Sequence, residues 1–234
     1  MNSFEYIILI GAVVLVGSIF LYSKVLPASA TKLLNAFSAA FLIGICFTEI
    51  LPESYHLNHT YAGIFVIVGF LTQLILGVFS GGIEHGHAHP HKHEIPYAVL
   101  ISLGTHAFIE GWPLNSATHE QNEALHHALI TGILVHNIPI TIVLTNMLKH
   151  AHLKNTTILL LLFGFSLLTP LGSFFADFWF LTPDMLAIPL AIVAGILLHI
   201  STTILFEAAD SHKFNLIKMV VILLGLGFSL MLLL

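Results

Sequence analysis

Two short stretches carry the metal-capable side chains that fall deepest inside apolar sequence. They are Gly104-Thr105-His106-Ala107-Phe108-Ile109-Glu110-Gly111-Trp112-Pro113 and Val135-His136-Asn137-Ile138-Pro139. His106 and Glu110 are four apart, so on a helix the imidazole and the carboxylate lie one turn apart on the same face. Imidazole nitrogen and carboxylate oxygen together suit a borderline divalent cation, Zn²⁺ first of all. Fe²⁺, Mn²⁺, Co²⁺ and Cd²⁺ accept the same donors, so the residues do not choose among them. Two His and one Glu also leave a coordination position open, which an ion that must come and go requires. Such groups are expensive to place in hydrocarbon, and function is the ordinary reason for finding them there. The competing reading is a His–Glu hydrogen bond that staples two helices. The matching His136-Asn137 pair and the two prolines weigh against it. Pro113 removes the hydrogen bond to the carbonyl of Ile109 and Pro139 the one to Val135, so each freed carbonyl lies beside a candidate ligand. Unwound backbone at membrane depth is tolerated where it lines a cavity.

The elements that position these residues must cross a bilayer. Of 234 residues 57% are hydrophobic and only 8% charged, and the mean hydropathy is +0.96. A soluble domain of this length needs far more charged surface. Apolar stretches approaching or exceeding the roughly 20 residues that span a membrane recur throughout. The pattern predicts eight spans, at about 4–22, 33–51, 61–80, 97–114, 124–148, 156–176, 186–207 and 215–234, joined by turns such as Pro27-Ala28-Ser29 and Thr182-Pro183-Asp184. Glu5 and the lack of a basic leader argue against a signal peptide at the start. The fold expected is all-α, a single polytopic transmembrane domain over 1–234.

Lysine placement orients it. Lys24, Lys32, Lys92, Lys149, Lys154, Lys213 and Lys218 all fall on one side of an eight-span chain, while the opposite connections carry Glu53, Glu120, Glu123, Asp177 and Asp184 and no Lys. By the positive-inside rule the lysine side is cytoplasmic and both termini face outward. Spans two and seven both close on acids, Glu49 and Glu53 in one and Glu207 in the other, and run in opposite directions. That is compatible with an inverted repeat of spans one to three and six to eight around spans four and five. Glu49, Glu53 and Glu207 read either as ligands along an ion pathway or as acids near the interface.

Histidine is the overused residue, 16 in all. His85, His87, His89, His91 and His93 alternate in a tract within 81–95 that cannot pack a core and reads as a cytoplasmic metal-binding loop. His119, His126 and His127 cluster near the outer face, where exposed histidines usually have no role; capture of incoming metal is the weaker alternative. His199 reads as a packing residue. The single cysteine, Cys46, excludes a disulfide framework or a thiolate zinc knot. With no Arg and no basic run, nothing suggests nucleic-acid binding. Enzyme motifs fail as well: His119-Glu120-Gln121-Asn122-Glu123 and His93-Glu94-Ile95-Pro96-Tyr97 lack the second His of a zinc-protease helix.

These residues together resemble the Zrt/Irt-like (ZIP) metal transporters over essentially the whole chain. Phe41-Leu42-Ile43-Gly44 through Leu51-Pro52-Glu53 is similar to the family's second helix, and His106-Ala107-Phe108-Ile109-Glu110-Gly111 to its fourth-helix signature. His136-Asn137-Ile138-Pro139 is similar to the fifth-helix signature, and Leu168-Thr169-Pro170-Leu171-Gly172 to the sixth. The resemblance implies eight helices in a 3+2+3 arrangement and a homodimer in the cell (inner) membrane. It also implies import of Zn²⁺ or a related cation toward the cytoplasm through a site between helices four and five. Carried over by position, the metal residues are His106, Glu110 and His136, with Asn137. Family members often hold a second metal through an Asn after the fourth-helix His and a Glu after the fifth-helix Pro. Here those positions are Ala107 and Ile140, and Thr169 stands where some members place a sixth-helix acid, so one metal per site is expected. The alternatives are a metal-binding sensor or transport-inactive relative and, further off, a histidine-dependent membrane enzyme.

Overall fold

The computed structural model describes residues 3–24, 26–80, 95–180, 182–208 and 216–231. Among them all regular structure is helical. α1 (Ser3–Tyr22) and α2 (Ala28–Ile45) come first, and α2 passes through a π-helical turn (Cys46–Ile50) into α3 (Leu51–Leu57). α4 (Ala62–Ser80) and α5 (Tyr97–Glu110) follow. A 3₁₀ turn (Trp112–Leu114) and the short α6 (Ser116–Gln121) lead to α7 (Glu123–His150). The chain closes with α8 (Asn155–Ser166), α9 (Leu168–Trp179), α10 (Pro183–Ala208) and α11 (Leu216–Met231).

Six stretches among the described residues are long and apolar enough to cross a membrane: Ser3–Tyr22, Ser29–Leu57, Ala62–Phe79, Glu123–His150, Asn155–Trp179 and Met185–Phe206. The two remaining expected spans coincide with α5, of 14 residues, and α11, of 16. Solvation is inverted relative to a soluble protein. Ile7, Leu15, Ile64, Ile75, Leu160 and Leu223 are exposed, whereas Asn35, Ser38, Thr141, Thr145, Ser173 and Ser201 are buried. Lipid accepts the former, and helix interfaces cover the latter. The protein is an all-α, polytopic integral membrane protein.

Element boundaries depart from the sequence pattern where proline acts. The fourth span, expected to be helical over 97–114, is α-helical only to Glu110, because Pro113 cannot donate to Ile109 and the chain tightens into a 3₁₀ turn. The sixth, expected as one helix over 156–176, is broken at Leu167 into α8 and α9, three residues before Pro170. The second is longer than 33–51 at both ends and absorbs Pro52 by means of the π turn just before it. α6 lies in what reads from sequence as a connection. Its N-cap, Asn115, accepts hydrogen bonds from the Thr118 N–H and hydroxyl, both at 2.9 Å.

Helices pack in pairs: α10 on α4, α11 on α2, α1 on α7 and α8, α5 on α9, and α2 on α7 and α10. Exchanging the first three spans for the last three turns the α2–α11 contact into α10–α4, and α1–α7 into α9–α5. Glycines set how closely these pairs approach. A Cβ on Gly69 would strike the carbonyl of Ile192 and one on Gly195 that of Val66, across the α4–α10 contact. Small residues that let backbones touch are the usual adhesive of membrane helices. The ends are matched too. Lys149, in the last turn of α7, donates to the Phe20 and Ser23 carbonyls at the end of α1, each at 3.0 Å, where a cation offsets the unpaired carbonyls of a helix terminus. Lys24, Lys32, Lys154 and Lys218 sit at or near helix termini on this same end of the alternating chain, and Glu53, Glu120, Glu123 and Asp177 at the other. Lys92, Lys213 and the Asp184 side chain lie outside the described residues.

Candidate metal site

His106 and Glu110 sit one turn apart on the inner face of α5, as their spacing requires. His106 Nε2 is 3.2 Å from Glu110 Oε1. Tetrahedral ligands about 2.1 Å from a zinc ion are roughly 3.4 Å from one another, so this pair already has the spacing of one edge. His136, at the middle of α7, completes the group. Its ring centroid is 5.7 Å from that of His106, at 83° between planes. One ligand atom from each of the three lies within 4.8 Å of the others. The three residues are 0%, 1% and 2% exposed respectively, so a carboxylate and two imidazoles share a site shut off from bulk water. Groups of this kind are stable at such depth only when something compensates them.

The local fold explains how Glu110 is held. α5 ends on it, and the next residue is Gly111, where a Cβ would collide with the Thr169 carbonyl of α9; reciprocally, a Cβ on Gly172 would collide with the Phe108 carbonyl. The two helices therefore touch through paired glycines. Ser173 Oγ–H adds a hydrogen bond to the Leu114 carbonyl at 2.8 Å, pinning the turn that Pro113 creates. His136 is held from the other side by Ser38 of α2, whose Oγ is 3.5 Å from its Nδ1. That contact leaves Nε2 of His136, which has no hydrogen-bond partner among the described residues, as does Oε2 of Glu110. A ring fixed through one nitrogen and presenting the other is the usual arrangement of a ligating histidine.

The remaining candidates sort by distance from this group. Asn137 is 5% exposed beside His136, and its Oδ1 has no hydrogen-bond partner among the described residues. Glu49 lies half-buried in the π turn and does not join the cluster. Glu53 is 3.8 Å from His56 and lines a separate crevice with Thr118, Gln121 and Asn122. Glu207 falls in the last turn of α10, and its side chain lies outside the described residues, as do His85, His87, His89, His91 and His93. His199 packs edge-on against Phe70, with ring centroids 4.9 Å apart. Ala107 and Ile140 are both buried in an apolar cluster with Leu103 and Leu144.

Surroundings of the site differ toward the two ends. A narrow crevice, with room for about one water molecule, is lined by Asn35, Ser38, His136, Pro139, Ile140, Val143 and Ile204. Along their helices these residues lead from His136 toward the lysine-bearing end. On the opposite side Ile45, Ile109, Leu129 and Ile133 close together in an apolar cluster. Ser38 is a site residue that sequence reasoning missed. Its one signal was that Asn35 and Ser38, three apart, put two polar groups on one face of an otherwise apolar helix. The histidines expected near the outer face also depart from expectation in part. His127 is exposed, but His126 is 0% exposed and pairs with Glu5 at 3.3 Å.

Residues 84–234 match the family model described as ZIP zinc transporter. No curated protein matches the chain.

Proposed function

Because the chain belongs to the ZIP zinc transporter family, we propose that it carries Zn²⁺ or a closely related divalent cation into the cytoplasm through a site made by His106, Glu110 and His136, with Asn137 beside it. As a family member it is an integral membrane protein that transports divalent metal cations. The observation that carries the finer reading is the convergence of one carboxylate and two imidazoles within 4.8 Å, buried between α5 and α7. Three protein ligands leave a position for water or for Asn137, so the ion can be handed on. The cation is the cargo, and the donors stabilise it in place of the hydration shell it sheds.

The inward direction rests on family likeness, and the lysine-bearing end is taken as cytoplasmic under the positive-inside rule, which puts both termini outside and residues 81–95 inside. With that orientation the crevice below His136 is the release route, and the Ile45–Ile109–Leu129–Ile133 cluster is the closed outer gate. Opening the opposite side requires α5 and α7 to move against the flanking helices, in a 3+2+3 arrangement of a single domain with inverted repeats. The exchange of packing partners and the paired glycines support this reading. One metal per site is favoured because Ala107 and Ile140 offer no metal donor and pack in an apolar cluster. Glu49, Glu53 and Glu207 are candidate pathway acids, and the loop histidines a cytoplasmic acceptor. A homodimer in the cell membrane rests on family likeness, and transport chemistry needs no catalytic residue.

Uptake into proteoliposomes loaded with a metal-sensitive dye tests this across Zn²⁺, Fe²⁺, Mn²⁺, Co²⁺ and Cd²⁺. Glu110→Ala should abolish the signal at equal reconstitution. Uptake at the wild-type rate in that variant refutes the site, and binding by the wild type without any internal signal marks a sensor instead.

A further inference from the structure

At the end of the bundle opposite the lysines, three residues from three helices meet: Glu5 of α1, His119 of α6 and His126 of α7. One ligand atom from each lies within 4.8 Å of the other two. His126 Nε2 is 3.3 Å from Glu5 Oε2, and the His119 and His126 rings are 4.7 Å apart at 62°. Glu5 and His126 are buried, and His119 is half-buried. We propose that Glu5, His119 and His126 form a second divalent-cation site of Zn²⁺ type, independent of the one at mid-membrane, that clamps the start of α1 to α6 and α7.

A staple between α1 and α7 would need only the Glu5–His126 pair. His119 adds a third donor, and its Nδ1, like Nδ1 of His126, is buried with no hydrogen-bond partner among the described residues. Buried polar atoms without partners are costly unless a ligand reaches them. The carrier of His119 is itself fixed in place. Asn115 caps α6, and the Ser116 N–H donates to Asp177 Oδ1 at 2.7 Å, so the imidazole is presented from a held element rather than a loose connection. The donor set, two imidazoles and one carboxylate, selects borderline cations over Mg²⁺ or Ca²⁺. Ten residues of α7 separate His126 from His136, about 15 Å along the axis and roughly 80° around it. An ion held here is therefore not in contact with the mid-membrane ligands. Adjacent His127 pairs with Glu123 on the exposed surface at 3.5 Å and takes no part.

Zinc bound per chain, counted by elemental mass spectrometry on the desalted full chain in detergent, tests the proposal. Replacing Glu5→Gln together with His126→Gln should lower the count by one equivalent, both in the parent and in a Glu110→Ala background, while His127→Gln leaves it unchanged. An unchanged count in the double variant overturns the proposal. Should that variant not fold, His119→Gln, which keeps the Glu5–His126 pair, must show the same loss of one zinc, and an unaltered count there overturns it equally. The outcome is separable from the transport reading, since Glu110→Ala removes uptake without touching these three residues.

Discussion

Ser38 on α2 holds its hydroxyl 3.5 Å from Nδ1 of His136 on α7, joining residues 98 positions apart in sequence. The contact engages Nδ1 and leaves Nε2 without a hydrogen-bond partner among the described residues. The proposed metal ligands thus depend on α2 as well as on α5 and α7, and a shift of α2 would loosen His136. Ser38 also lines the crevice toward the lysine end, so on the proposed route a departing ion passes the residue that positions its ligand.

Ser38→Ala should raise the half-saturating metal concentration while leaving the maximal rate close to normal. Loss of a partner to a ligating histidine typically costs 10–100-fold in affinity, and a contact as long as this one belongs at about the 10-fold end. Initial uptake rates over a range of Zn²⁺ concentrations give both parameters. An unaltered half-saturation value would remove Ser38 from the site.

Selectivity follows from the donors. Mg²⁺ and Ca²⁺ favour all-oxygen shells, with Mg²⁺ retaining several waters, whereas His106 and His136 supply nitrogen in a dry pocket. A hundredfold excess of Mg²⁺ or Ca²⁺ is therefore expected to leave Zn²⁺ uptake nearly unchanged, and Cd²⁺ at parity to compete. Strong competition by Mg²⁺ in the dye assay would mean that the ion is selected somewhere other than these imidazoles.

Gly172→Ala should destabilise the fold and impair transport together. The added methyl meets the Phe108 carbonyl, a backbone atom that cannot rotate away, so α5 and α9 must part and Glu110 moves with α5. Overpacking of this kind costs about 1–3 kcal/mol. Thermal unfolding in detergent should show a lowered midpoint, compared with Gly77→Ala, where a Cβ meets nothing within 4 Å. Equal midpoints for the two variants would contradict the close contact.

Legibility of the molecule divides along chain distance. His106 and Glu110 were readable because four residues make one helical turn, and that relation is local. The all-α class and the sorting of lysines from acids were readable because a bilayer imposes length and charge rules on each segment separately. The breaks at Glu110 and Leu167 were half-readable. Pro113 and Pro170 announce a disturbance, but whether it ends, kinks or tightens a helix depends on what packs beside it. His126, near the acidic end, was read as exposed, since the partner that buries it is Glu5, 121 residues away.

The sequence by itself determined that this chain crosses membranes as helices, which residues could bind a cation, and which family signatures it carries, because periodicity, hydropathy and short motifs act within one segment. Only the tertiary structure decided that His136 reaches the His106–Glu110 pair, that Ser38 holds it, and that Glu5 meets His119 and His126. Those meetings rest on how closely glycine-lined helices approach and how each is rotated about its axis. Both are set by packing between segments far apart in the chain.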